Sequence, residues 1–257
     1  MYFLTQRKEW MRVEMKRDRN MQPNATEQSI RYSRGDRVHE VYRTLRDLIV
    51  RGTLGPGAGI LEADVVARLG VSRTPVRSAL LKLQNEGYVV ATRNNGRSRS
   101  KVASLTKEDA REVMQIMAEL EGLAGRSAAL LARDQRTRLV AELRKINTQL
   151  KNSADASGKA FSRLDQAFHG RYVEAAAGPR LLALHQSIKP QADRYIWLYV
   201  TALADQISTS VREHEVIIRS IDAGKPNAAQ RAVRTNWRNA AERLARVMEH
   251  LGERGHW

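Results

Sequence analysis

The sequence predicts a mainly α-helical chain in two parts. A small amino-terminal winged helix-turn-helix unit is followed by a larger carboxy-terminal bundle that is all α. Three observations predict this. Between Asp36 and Gly87, short apolar stripes at helical spacing alternate with glycine-containing breaks. A β-branched run, an Asn-Gly pair and a second short run then form the pattern of one hairpin. From Thr106 onward only the helical period remains, in a chain rich in Ala, Leu and Arg.

Residues 1–34 show no sustained period, and a flexible basic arm is expected there. The winged unit is expected over residues 35–103. Its first helix is expected from about Asp36 to Arg51, with Val38, Val41, Tyr42, Leu45 and Ile49 on one face. The run Gly52-Thr53-Leu54-Gly55-Pro56-Gly57 breaks it. Leu61, Val65, Val66 and Leu69 mark a second short helix that ends at Gly70. A third starts near Thr74, with Pro75 in its first turn, where a missing N–H costs nothing. Val76, Leu80 and Leu83 face the core, and Gly87 ends the helix.

Tyr88 to Ala91 reads as one strand and Ser100 to Ala103 as its return, with Asn95-Gly96 at the turn. Arg93, Arg97 and Arg99 surround that turn. A basic hairpin after a helix-turn-helix reads as a wing, whose arginines are drawn to a phosphate backbone or a narrow minor groove. Taken without the helices before it, the same segment would be an ordinary polar hairpin.

Residues 104–257 are expected to form the bundle. Thr106 followed by Glu108 and Asp109 reads as a helix start. Helices are expected over about 107–132, 135–152, 155–177, 180–203, 208–223 and 226–251, with Pro190 kinking or splitting the fourth. Bundles of this kind hold ligand sites between facing helices.

The chain has 257 residues and a formal net charge of +16. That balance points to a polyanionic partner, nucleic acid or an anionic surface. No apolar run reaches the roughly 18 residues of a membrane span, so no membrane partner is expected. The first residues lack the apolar core of a secretion signal, and a cytoplasmic location is expected. Without cysteine, disulfide and thiolate–metal chemistry are excluded.

The segment Val71-Ser72-Arg73-Thr74-Pro75-Val76-Arg77 is the most specific feature. Arg73 and Arg77 are four apart and share one helical face. In a helix-turn-helix the second helix enters the major groove by its amino-terminal end. Arginine is the side chain shaped to bond both acceptors of a guanine edge. Two arginines at this spacing also suit an ordinary surface helix, and it is the surrounding motif that decides for DNA.

The stretch from Gly70 to Leu80, with Gly87 after it, resembles the GntR family of bacterial transcription regulators. The helical part looks like the effector-binding FCD domain of its FadR subfamily. Its landmarks are Glu119-Leu120-Glu121 with Ala124, Asp165 with Phe168-His169, and Glu213-His214. The resemblance implies a bacterial, homodimeric regulator, a repressor by expectation, whose affinity for a short inverted repeat in double-stranded DNA responds to a small-molecule effector. It implies base contacts by Arg73 and Arg77, phosphate or helix-start contacts by Ser72 and Thr74, and a wing-tip glycine at Gly96 beside Asn95. Where some members place another DNA-contacting arginine, this chain has Ala63.

Many FCD domains hold a divalent metal, and the matching positions here are Asp165, His169 and His214, with Asn236 where a further histidine often stands. Asp165 and His169 lie four apart on one helix and point the same way. An amide oxygen is a weaker ligand than imidazole for zinc-like metals, so zinc, nickel and manganese all stay open. The alternative is a surface Asp–His pair with His214 as a core histidine. Met117 takes the place of an arginine that often faces the family's pocket, which leaves Arg163 and Arg194 as candidate clamps for an effector carboxylate; either also suits a solvated or interface role. His39, His185, His250 and His256 fit no ligand pattern. Two other functions compete with regulation. A metal-dependent enzyme could use the Asp/His set, although no general base stands beside it in sequence. A sequence-neutral architectural protein is suggested by charge alone.

Overall fold

The computed structural model describes residues 34–94, 97–152, 158–199 and 207–255. The expected arm at residues 1–34 falls outside these, apart from Arg34. The chain separates into two compact units, with the division between Ala103 and Ser104.

In the first unit, α1 (Arg34–Val50), α2 (Glu62–Leu69) and α3 (Arg73–Asn85) precede a small sheet. Val41, Tyr42, Leu45 and Ile49 of α1 are buried with Val65 of α2 and Val76, Ala79, Leu80 and Leu83 of α3. Val38, expected in that stripe, is only half-buried. Gly70 ends α2 with φ 61°, where a side chain would be strained, and its N–H bonds the Val66 carbonyl. The hairpin strands β2 (Val89–Asn94) and β3 (Arg97–Val102) pair antiparallel, with Val89 opposite Val102 and Thr92 opposite Arg99. A two-residue strand, β1 (Gly59–Ile60), adds to the far edge of β3. Two residues are too few to show any period, so this strand was not legible in the sequence.

The second unit comprises α4 (Lys107–Ala129), α5 (Arg133–Asn152), α6 (Gly158–Ala176), α7 (Pro179–Tyr199), α8 (Ile207–Asp222) and α9 (Pro226–Leu251). The Thr106 hydroxyl caps α4 by accepting the Asp109 N–H at 3.1 Å. α7 is one unsplit helix through Pro190. Helix α4 lies against α9 through small residues. A Cβ at Gly125 would stand 2.9 Å from a methyl of Val233, so only glycine permits this approach. Phe168, Tyr172, Ile217, Val233 and Trp237 fill the core between α4 and its neighbours. The two ends of the unit meet where Leu105 and Arg254 exchange backbone bonds. No helix among the described residues is long and apolar enough to cross a membrane.

Candidate functional site

Helix α3 turns one face inward and one outward. Pro75, Val76, Ala79, Leu80 and Leu83 are buried, while Arg73, Thr74, Arg77 and the preceding Ser72 are exposed. Positions 73 and 77 are one turn apart, so both guanidinium groups leave from the outer face. Ser72 occupies the helix-start position with an extended backbone, but its hydroxyl makes no capping bond. Arg77 Nε donates to a Glu62 carboxylate oxygen at 2.8 Å, from the first turn of α2. Arg93 belongs to β2 and Arg97 to β3. Asn95 and Gly96, and the side chains of Arg93 and Arg97, lie outside the described residues.

In the second unit the sequence landmark Glu121 becomes a hub. Its carboxylate is wholly buried. One oxygen accepts from His169 Nδ1 at 2.6 Å, the Tyr172 hydroxyl at 2.6 Å and Trp237 Nε1 at 2.8 Å. The other accepts from His185 Nε2 at 2.9 Å. Donors thus come from α6, α7 and α9, which is what a buried carboxylate needs to offset lost hydration. An ionised carboxylate only accepts, so His169 must carry its proton on Nδ1. Its Nε2 is then the nitrogen left for the cavity that His169 helps to line.

Asp165 sits one turn before His169. His214, on α8, stacks on the Phe168 ring with centroids 3.8 Å apart. Both ring nitrogens of His214 are buried without a hydrogen-bond partner. The nearest acid, Asp165 Oδ1, is 3.5 Å from its Nε2, too long for a good hydrogen bond. Asp165, His169 and His214 each offer a ligand atom, all within 4.8 Å of one another. Asn236 lines the same cavity from α9. Its amide nitrogen donates to Glu213 at 2.8 Å, which leaves the oxygen, the ligating atom of an amide. Glu213 also accepts from Asn239 at 2.8 Å and from both terminal nitrogens of Arg243, at 3.0 and 3.2 Å.

The charge states follow from burial and these partners. Burial opposes the charged forms of Glu121 and His169, but each stabilises the other. Glu121 is therefore held well below its ordinary value, and His169 is held above its own. Burial, reinforced by His169, keeps His214 well below the usual imidazole range, so it is neutral, with one ring nitrogen free to donate a lone pair. Burial also raises Asp165. The two buried imidazoles and the Asp165 carboxylate make a nitrogen–oxygen donor set of a kind that suits a divalent cation, whose binding would displace any proton from His169 Nε2.

The cavity is lined by the apolar Met114, Phe161, Ile196 and Leu244 together with Asp165, His169, Asn236 and Arg243. Neither arginine expected from the sequence lines it. Arg163 is exposed, two residues from Asp165, and so on nearly the opposite face of α6. Arg194 is buried and bonds Gln191 at 3.1 Å, two residues from the cavity-lining Ile196. The cation at the cavity is Arg243 instead. Sequence reasoning missed Arg243 and His185, since each takes its role from a partner on a distant helix. Met117, in the place of the family's arginine, is buried in the core.

These features define a class: a DNA-binding transcription regulator with a helical ligand-binding domain. Residues 37–97 match the gntR family of bacterial regulatory proteins, and residues 112–239 match the FCD domain. The chain belongs to the GntR family and carries the FCD domain of its ligand-binding members. It is 28% identical to the HTH-type transcriptional regulator YdhC of Bacillus subtilis, over 82% of this chain and 92% of that protein. It is also 28% identical to a probable D-xylose utilization operon transcriptional repressor of Paenarthrobacter nicotinovorans, over 74% of this chain and 82% of the other. The crystal structure of a GntR regulator from Rhodococcus sp. RHA1 superposes with a TM-score of 0.61 at 25% identity, covering 81% of this chain and 97% of the other. Nothing in these likenesses supports the enzyme alternative.

Proposed function

We propose that the protein is a cytoplasmic repressor whose operator affinity is set by a small carboxylate bound in the FCD domain beside a divalent metal. The observation that carries the ligand site is His214, with both ring nitrogens buried and unpartnered beside Asp165 and His169. Asp165, His169 and His214 would hold the cation, with Asn236 supplying an amide oxygen. A cation there supplies positive charge for a ligand carboxylate. Arg243, oriented by Glu213, faces the same space and takes the anion-binding role expected of Arg163 or Arg194. Repression accords with the relative named as the repressor of a sugar operon.

In this reading Arg73 and Arg77 contact bases, Ser72 and Thr74 contact phosphates, and the wing around Arg93, Asn95, Gly96 and Arg97 follows the backbone. The protein acts as a homodimer on a short inverted repeat. Exposed apolar residues on α4 support association: Ile116 and Leu123 lie seven residues apart, and exposed Leu130 follows at the same spacing just past the helix end. Ligand binding biases the DNA-competent arrangement through its different affinity for the two arrangements.

The test is metal content and DNA binding together. Replacing His169 and His214 with alanine should abolish bound metal and carboxylate-dependent release from DNA while DNA binding itself persists. Stoichiometric metal retained after that change overturns the site assignment.

A further inference from the structure

We infer that Glu62 sets the base specificity of the recognition helix by holding Arg77 in one orientation. Arg77 donates to Glu62 through Nε at 2.8 Å. The side chains are 62% and 38% exposed. An ion pair so open to water contributes little to fold stability. Its consequence is geometric.

A guanidinium presents two usable edges to a base: the side edge, from Nε and one terminal nitrogen, and the end, from the two terminal nitrogens. Glu62 occupies Nε. The end of the fork is left for the adjacent O6 and N7 acceptors of a guanine. A free arginine would lose its rotamer freedom on binding, and tethering removes part of that loss beforehand. The carboxylate also reduces the positive potential at the head of α3, which weakens attraction to phosphates of any sequence. Only the first effect raises discrimination between sequences, because the second acts on every duplex alike and leaves the ratio unchanged. Glu62 is thus a positioning residue that acts through Arg77, and the inference rests on the reading of Arg77 as a base contact.

The experiment uses the full chain and two labelled duplexes at one fixed salt concentration. One carries the sequence enriched from a randomised library, and the other is its scrambled counterpart. Binding is followed by fluorescence anisotropy for the parent, Glu62→Gln, Arg77→Ala and the double variant. Glu62→Gln should bind the scrambled duplex more tightly and lower the specific-to-scrambled ratio by about fivefold, the low end of what one bidentate contact contributes. In the Arg77→Ala background the same change should lower the ratio no further. An unchanged ratio in Glu62→Gln, or an equal fall with Arg77 absent, overturns the role of Glu62. So does a fall that appears only with a collapsed thermal transition. If Arg77→Ala alone leaves the ratio intact, the reading of Arg77 itself fails, which is a distinct outcome.

Discussion

The Glu121 carboxylate accepts the Nδ1 proton of His169 at 2.6 Å, and both side chains are buried. This contact fixes which imidazole nitrogen is left for the cavity. Carboxylate–histidine partnerships of this type orient metal ligands and raise their basicity. Glu121→Gln should therefore weaken divalent-metal binding by about 10–100-fold. Isothermal titration of the metal-free protein with zinc and manganese measures this directly. Parent-like affinity in a folded variant removes Glu121 from the orienting role.

The same pair gives a pH window. Glu121 has a lowered pKa in the fold, so its stabilisation is present above the unfolded value of about 4.3 and fades as pH falls. His169 has a raised pKa, so its contribution is full below the unfolded value of about 6.5 and is lost as pH rises through the folded value. In chelator-treated protein, the stability difference between parent and Glu121→Gln should be greatest between about pH 4.3 and 6.5. Urea unfolding across that range checks it. A difference that grows steadily with pH contradicts the assignment.

A Cβ added at Gly125 would stand 2.9 Å from a Val233 methyl, closer than Cβ atoms pack in folded proteins. Gly125→Ala should destabilise the helical domain by about 1–3 kcal/mol through overpacking. Val233→Ala in the same chain should return part of that loss, because the added methyl then has room. Thermal unfolding of the two single variants and the double variant measures the coupling.

The exposed apolar residues of α4 predict a self-association defect. Leu123 is exposed within α4, with Ile116 seven residues before it. Leu123→Glu should shift sedimentation toward the monomer while leaving the helical circular dichroism unchanged. Undiminished association places the dimer contact elsewhere.

Arg77→Ala should reduce specific DNA affinity by about 1–3 kcal/mol at fixed salt. Discrimination between operator and scrambled DNA should fall with it. A uniform loss on every sequence would reassign Arg77 from base to phosphate.

Local chemistry made much of this protein legible in its sequence. Gly70, Pro75 and Gly87 punctuate the chain so sharply that α3 and the outward placing of its arginines follow from spacing alone. The four-residue separation of Asp165 and His169 puts both on one side of α6 before any tertiary contact is known. Which groups surround them was settled only by packing. Glu121 becomes a hub because α6, α7 and α9 converge on one turn of α4, and no local period encodes that convergence. Arg243 rather than Arg163 or Arg194 reaches the cavity because Glu213, on another helix, holds it there. Glu62 and Arg77 meet across a turn that joins two helices. Side-chain type and spacing are properties of the chain, whereas burial, partner and charge state arise when distant segments exclude water together.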